Sequence, residues 1–361
     1  TSGECRLPVF LRDLHLQIFD AGGKLRECPS IDAVVAIRQV LGGVKKLKLQ
    51  CSDRRTRNAV MDFISIEHDL RTPSLSWDGD LLTSTDVSRG SYSFEDIGEA
   101  DETRLDEELS LGLVERPLPV LRKAQRSLQS VCDIVAAWLG DLSCERSKEL
   151  PKHGPGVVAE QRNNRSKFEF RCWPHKLDTV FPYDWYGSYD LMANHNPECD
   201  GYPLNRELPS RMIAVPKTQK APRLIAAEPV EHMWIQQLVR SQLEGRVRES
   251  PISRSIHFRD QTENQRFARL GSKSRYYATV DLSSASDRLS CWTVERAFRR
   301  NKSLLERLHA CRTRWVRNGL YPELGEFIKL KKFANQGSAC TFPVQTIIYT
   351  CVAIAAVLIT K

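Results

Sequence analysis

The residues with the clearest chemical capability lie in Tyr-Tyr-Ala-Thr-Val-Asp-Leu-Ser-Ser-Ala-Ser-Asp-Arg-Leu-Ser, residues 276–290. A β-rich run ends at Asp281, and a second carboxylate, Asp287, follows after small, turn-permissive residues. A carboxylate at the end of a buried strand can hold a divalent cation against phosphates, because Mg²⁺ prefers hard oxygen ligands and takes only one or two from carboxylates. The competing reading is structural: Asp281 caps the next turn and Asp287 pairs with Arg288 or water. A second feature, Asn-Gln-Gly-Ser-Ala-Cys-Thr-Phe-Pro-Val-Gln-Thr at 335–346, puts Gly337 and Ser338 in a turn before a helix. Free N–H groups at such a terminus attract phosphate or bind a sugar, although an ordinary capped helix start has the same pattern. A third, residues 211–229, carries Lys217, Lys220 and Arg223 on a strand–turn–strand unit. Three cations at one hairpin edge can meet an anion or simply keep that edge soluble.

These segments need elements to position them. Apolar spacing predicts helices over 31–41, 56–70, 119–139, 229–245, 261–270 and 293–317, and strands over 211–215, 223–226 and 276–280. The apolar run 346–360 has fifteen residues, short of the roughly 20 that span a bilayer, so a buried helix capped through Thr341 and Pro343 is expected. Stable membrane insertion is not expected.

With 361 residues, 41% of them hydrophobic and 27% charged, the chain is long enough for two or three domains, and disordered and fibrous classes are excluded. Eleven cysteines without a C-x-x-C pair argue against a disulfide framework and a ribbon-type zinc site, and imply reduced thiols in a cytoplasm. Residues 77–115 hold twelve carboxylates against two arginines and read as a solvated loop or linker. Residues 288–336 hold twelve Lys or Arg against four Glu, with aromatics between them. That run suits a polyanion-facing surface, or a solvated helix face.

Taken in order, V-P-K-T-x-K-x-P-R-x-I-x-x-E-P, D-Q-T-x-N-Q-x-x-A-R-x-G-S, A-T-V-D-L-S-S-A-S-D-R and G-S-x-x-T-F-P-V-Q-T resemble motif F, the connector before the palm, motif A and motif B of levi-like RNA bacteriophage RNA-dependent RNA polymerases. Narna-like and ourmia-like virus polymerases have similar motifs. The resemblance covers residues 211–346. Residues 151–160 and 181–187 are similar to the fingers, and 1–150 have only a weak likeness.

The resemblance implies an α+β, right-hand polymerase with fingers and an incomplete palm. Its parts would be a mostly helical region at 1–208, the motif F hairpin and connector at 209–272, and a partial palm at 273–361. It implies that Asp281, with the Leu282 carbonyl, binds Mg²⁺ (or Mn²⁺). Asp287 would read the ribose 2′-hydroxyl, and Lys217, Lys220 and Arg223 would hold the triphosphate. Gly337 and Ser338 would track the template RNA, with Thr341 near the nucleotide. Gln345 stands where many viral polymerases carry an Asn that also contacts the ribose. RNA template and NTPs would be the substrates, host cytoplasm the location, and host translation proteins or a second polymerase chain the partners.

The chain contains no Gly-Asp-Asp and no Asp after Asp287. Two-metal nucleotidyl transfer needs carboxylates from two strands, so the expectation is a fragment of a longer polymerase or one half of a divided one, catalytically inert alone. Three rival classes remain. A reverse transcriptase is disfavoured by the acidic Asp287, a non-catalytic RNA-binding protein would use the basic run alone, and a membrane anchor would use 342–360. His153 in His-Gly-Pro-Gly is expected to form a tight turn.

Overall fold

A computed structural model describes residues 7–46, 51–71, 73, 118–142, 151–160, 167–168, 170, 172–187, 207–217 and 221–360. The acidic segment 77–115 and Lys220 lie outside them. The chain divides into two compact units, Thr1–Ala59 with Ala214–Arg223, and Val60–Ile213 with Leu224–Lys361. In the first unit, α1 (Arg12–Leu16) and α2 (Ile31–Lys46) bury Ile18, Ala33 and Ile37 together.

The second unit is α+β. It holds most of α3 (Asp53–Asp69), α4 (Leu118–Leu139), the short α5 (His175–Val180) and α6 (Tyr183–Tyr186), and α7 (Val230–Glu249). Then come α8 (Thr262–Ser274), α9 (Cys291–Phe298), α10 (Lys302–Cys311) and α11 (Thr341–Thr360). Strands β1 (Ser210–Val215), β2 (Arg223–Ala227), β3 (Trp315–Arg317) and β4 (Phe327–Lys329) form a mixed sheet in the order β2-β1-β3-β4. β1 runs parallel to β3, and β3 antiparallel to β4. The main core joins α4, α7, α9, α10 and α11 through residues such as Val135, Leu238, Val294, Leu308 and Ile347. A smaller core packs α3 on the sheet through Val60, Phe63, Met212, Ala226 and Val316.

Four expectations change. The helix expected over 293–317 is two helices and a strand. Asn301 ends the first, caps the second by accepting the Leu304 N–H at 3.0 Å, and donates to the carbonyls of Ala136 and Gly140. Its side chain thereby offers the backbone a partner outside the helix. Residues 276–280 form no strand; they are exposed coil, and among the described residues no strand pairs with them. A ladder needs a partner for its N–H and C=O groups, and β propensity alone does not supply one.

α11 is twenty residues long, so the fifteen-residue length argument does not hold: by length and composition alone it could cross a membrane. It is also not buried all round. Val344, Ile347, Ile348, Cys351 and Ala355 form a buried stripe, whereas Phe342, Val352, Val357 and Leu358 are exposed. Finally, Cys172 is disulfide-bonded, so wholly reduced thiols do not describe this residue; others among the described residues, such as Cys132 and Cys351, keep their thiols.

Candidate nucleotide site

The turn after Asp281 is braced by segments distant in sequence. Arg288 N–H donates to Ser284 O at 3.0 Å, and Ser284 takes a positive φ of 51° to make the bend. From the 335–346 segment, Gln336 donates its side-chain amide to Ser286 Oγ at 3.2 Å, and the Tyr349 hydroxyl of α11 donates to Ala285 O at 2.8 Å. Lys332 donates to Asp287 Oδ1 at 3.0 Å. The backbones of 289–291 and 331–333 also pair, with Phe333 N–H on Leu289 O at 2.7 Å and Cys291 N–H on Lys331 O at 2.9 Å. Ser290 accepts the Thr293 N–H to cap α9, which fixes where the turn ends.

The glycine turn is tied to the sheet. Ala226 of β2 donates its N–H to Gln336 O at 2.8 Å. Gly337 follows at φ 141°, and a Cβ there would lie 1.9 Å from Ala226 O. Only glycine permits both that φ and that approach. Ser338 is half-buried, its Oγ accepting the Cys340 N–H at 3.3 Å. Thr341 is buried and donates its hydroxyl to Asn335 O at 2.8 Å, which starts α11. Gln345 is half-buried.

Asp287 is therefore joined to the glycine turn through Lys332 and Gln336, and its side chain keeps 22% exposure. Asp281 and Leu282 are exposed, and Asp281 makes no ion pair among the described residues. Its carboxylate is thus open to a hard cation, with the Leu282 backbone beside it. No cluster of three His, Cys, Asp or Glu forms a metal site among the described residues, so a cation held at Asp281 would take most of its remaining oxygen ligands from water or substrate. Lys217 and Arg223 are exposed and lie in the first unit.

The basic run is only partly a surface. Arg307, Arg312, Arg314 and Lys332 are buried. Arg312 donates to the carbonyls of Phe333, Leu330 and Lys332, which holds the segment leading into the glycine turn. Arg314 and Lys176 flank Glu207, with the Lys176 ammonium 2.8 Å from Glu207 Oε2 and Arg314 Nε 3.2 Å from Glu207 Oε1. Burial alone would raise the Glu207 carboxyl, but the two cations outweigh it and hold it well below the usual carboxylate range. Burial lowers the Lys176 ammonium to about 8 and the His232 imidazole to about 3. Burial also lifts Glu228 to about 7, against the opposing hydrogen bonds from Thr313 and Gln236. Gln236 Oε1 in turn accepts the Ala339 N–H at 3.2 Å, linking this network to the glycine turn.

Sequence reasoning missed Lys332, Gln336 and Tyr349 as parts of this site, and Glu67, whose Oε1 lies 3.1 Å from Lys332 Nζ. Lys332 had one signal: it sits between Leu330 and Phe333, both buried. His153 packs its ring 4.8 Å from that of Trp234 beside a bend at 155–156 and contacts Lys167 O, a packing role.

Residues 191–361 match the family model described as RNA replicase, beta-chain, so this part of the chain is similar to that family. The relatives are phage proteins. The chain is 33% identical over 145 residues to the RNA-directed RNA polymerase subunit beta of Enterobacteria phage SP, across 40% of this chain and 23% of that protein. It is 30% identical over 203 residues to that of Escherichia virus Qbeta, covering 54% and 31%. The RNA-directed RNA polymerase beta chain of Enterobacteria phage GA matches at 43% over 79 residues, covering 22% and 14%. The matches thus span less than a third of each relative's length.

Proposed function

We propose that this chain contributes the fingers and the first part of the palm to a right-hand RNA-directed RNA polymerase that copies an RNA virus genome by two-metal nucleotidyl transfer. The observation that carries the reading is the convergence of β2, the 281–290 turn and the 331–341 segment through Ala226–Gln336, Ser286–Gln336 and Asp287–Lys332. The order of these segments in the sequence matches the polymerase motifs, and the phage relatives support it.

In this reading Asp281, with the Leu282 carbonyl, holds Mg²⁺ or Mn²⁺. When bound, the ion neutralises phosphate charge and activates the attacking 3′-hydroxyl. Lys217 and Arg223, with Lys220, bind the triphosphate of the incoming NTP and offset charge on the leaving pyrophosphate. Asp287 accepts a hydrogen bond from the ribose 2′-hydroxyl, which separates NTP from dNTP. Gly337 and Ser338 present backbone to the template RNA, with Thr341 fixing their turn. The Gly-Asp-Asp carboxylates that two-metal chemistry needs are not among these 361 residues, so these residues by themselves bind nucleotide and RNA without polymerising. The host cytoplasm is the setting, with a second polymerase chain or host translation proteins as partners.

The test is Mg²⁺-dependent NTP binding to the chain and its Asp281→Asn variant. The proposal expects at least tenfold weaker Mg²⁺-dependent binding in the variant. Binding that ignores Mg²⁺ and Asp281 but falls steeply with salt would overturn it in favour of an RNA-binding protein.

A further inference from the structure

Lys332 has no exposed surface, yet its ammonium touches the one partly exposed carboxylate of the braced turn. Its Nζ lies 3.0 Å from Asp287 Oδ1, 3.1 Å from Glu67 Oε1 and 3.6 Å from the centroid of the Phe63 ring. A buried ammonium is tolerated only when paired and hydrogen-bonded, so its position is narrowly fixed by its partners. Glu67 is itself immobilised: its Oε2 accepts the Lys331 N–H at 2.7 Å and the Lys332 N–H at 3.3 Å. The anchor therefore runs from the backbone of 331–332 through Glu67 to Lys332 and out to Asp287.

A merely structural lysine would be satisfied by Glu67 and the Phe63 face. The additional bond reaches Asp287 from the buried side and engages Oδ1, while the side chain retains its 22% exposure on the other. That leaves Oδ2 as the carboxylate oxygen free of the Lys332 contact.

We propose that Lys332 is the positioning residue for ribonucleotide selection: by holding Asp287 Oδ1 from the interior, it presents the other carboxylate oxygen in one orientation to the 2′-hydroxyl of the incoming nucleotide. The proposal rests on the ribose role given to Asp287 above. Glu67 is the residue that makes Lys332 rigid enough for this task. No step of the chemistry passes through either residue; their effect is on which sugar is accepted.

The experiment measures incorporation of ATP against dATP, as a ratio of kcat/KM values, by the replicase containing this chain. Asp287→Ala sets the floor of the ratio. Lys332→Met is expected to lower the ratio about tenfold, the worth of a hydrogen bond to a charged group, and to have no further effect in the Asp287→Ala background. Because Met leaves Glu67 buried without its cation, the same substitution is also made on Glu67→Gln, which keeps the cluster's net charge at its wild-type value. Asp287→Asn, at a partly exposed position, tests the pair while leaving Lys332 paired with Glu67. It keeps an acceptor oxygen but loses the ion pair, and its ratio should fall toward that of Asp287→Ala. A wild-type ratio in Asp287→Asn, or an equal extra loss from Lys332→Met in the Asp287→Ala background, would overturn the positioning role while leaving Asp287 as the sugar reader. An unchanged ratio in Asp287→Ala would remove the ribose reading itself.

Discussion

Replacing Gly337 with Ala attacks the contact that joins the glycine turn to the sheet, and its cost can be built from the geometry. The new Cβ would stand 1.9 Å from Ala226 O and 3.0 Å from Ala226 C, both backbone atoms that cannot rotate away. The φ of 141° adds about 1–3 kcal/mol for a residue with a side chain. Relief requires Gln336 and Ala226 to separate, which gives up the 2.8 Å hydrogen bond between them, worth about 1 kcal/mol net. The sum, roughly 2–4 kcal/mol, falls on one local junction rather than on the whole core. Hydrogen exchange should therefore show the Ala226 amide opening roughly thirty to about a thousand times more often, since each 1.4 kcal/mol is about tenfold. Amides in α7 should hardly change. Gly319→Ala is the control, because nothing lies within 4 Å of a Cβ there, and it should leave Ala226 protected. Wild-type protection of Ala226 in Gly337→Ala, with unchanged unfolding free energy, would refute the claim that this position admits only glycine.

The buried polar network makes two further predictions. Glu228, raised to about 7, keeps its proton in the folded state, so the stability this proton contributes is full below the ordinary carboxylate value and lost as pH rises through 7. His232, lowered to about 3, acts on the acid side: its contribution is present above its ordinary value of 6.5 and lost as pH falls toward 3. Glu228→Gln should therefore stabilise the fold at pH 8 by up to about 3 kcal/mol relative to its effect at pH 4.5, read from denaturant unfolding at both values. Parallel pH profiles for the two proteins would contradict the burial argument. Lys176→Met leaves Glu207 fully buried with one cation fewer, and should cost about 3–5 kcal/mol. Lys302→Met, which removes a half-exposed partner 3.8 Å from Glu306, should cost less than about 1 kcal/mol. Equal costs would mean that burial does not set the value of these pairs.

Much of the helical frame was legible because a buried stripe writes itself into the sequence at 3.6-residue spacing. α2, α3, α4, α7 and α8 fall where that spacing put them, and β1 and β2 flank the cationic turn as expected. The errors share a cause: a side chain or strand partner from far away in sequence decides the outcome. Asn301 reads as an ordinary helix residue until the carbonyls of Ala136 and Gly140 are brought against it. Arg312 and Lys332 read as surface cations until three carbonyls and two carboxylates close around them. Asp287 and Gly337 were identified by pattern, but of the residues that hold them Gln336 and Tyr349 carry no local signature and Lys332 only its place between Leu330 and Phe333.

The two carboxylates of the candidate site differ in how firmly this structure holds them, and the difference follows from pairing. Asp287 sits on a turn fixed by Ser284, Gln336, Tyr349 and Lys332, all described within one unit. Asp281 follows the coil Tyr276–Val280, whose Tyr276 and Val280 are 83% and 80% exposed. β-rich residues left that open are a poor place to store a metal ligand, since only a ladder partner would fix their backbone and cover their side chains. Val280 faces the same cavity as Thr346, Tyr349 and Val357 of α11, so an exposed apolar helix face and an unpaired apolar segment adjoin. In the proposed polymerase, sugar selection is consequently the function these residues can prepare by themselves. The metal binding proposed for Asp281 starts from the less braced segment, so in this chain it should be weak, and additional backbone pairing with residues 276–280 should strengthen it.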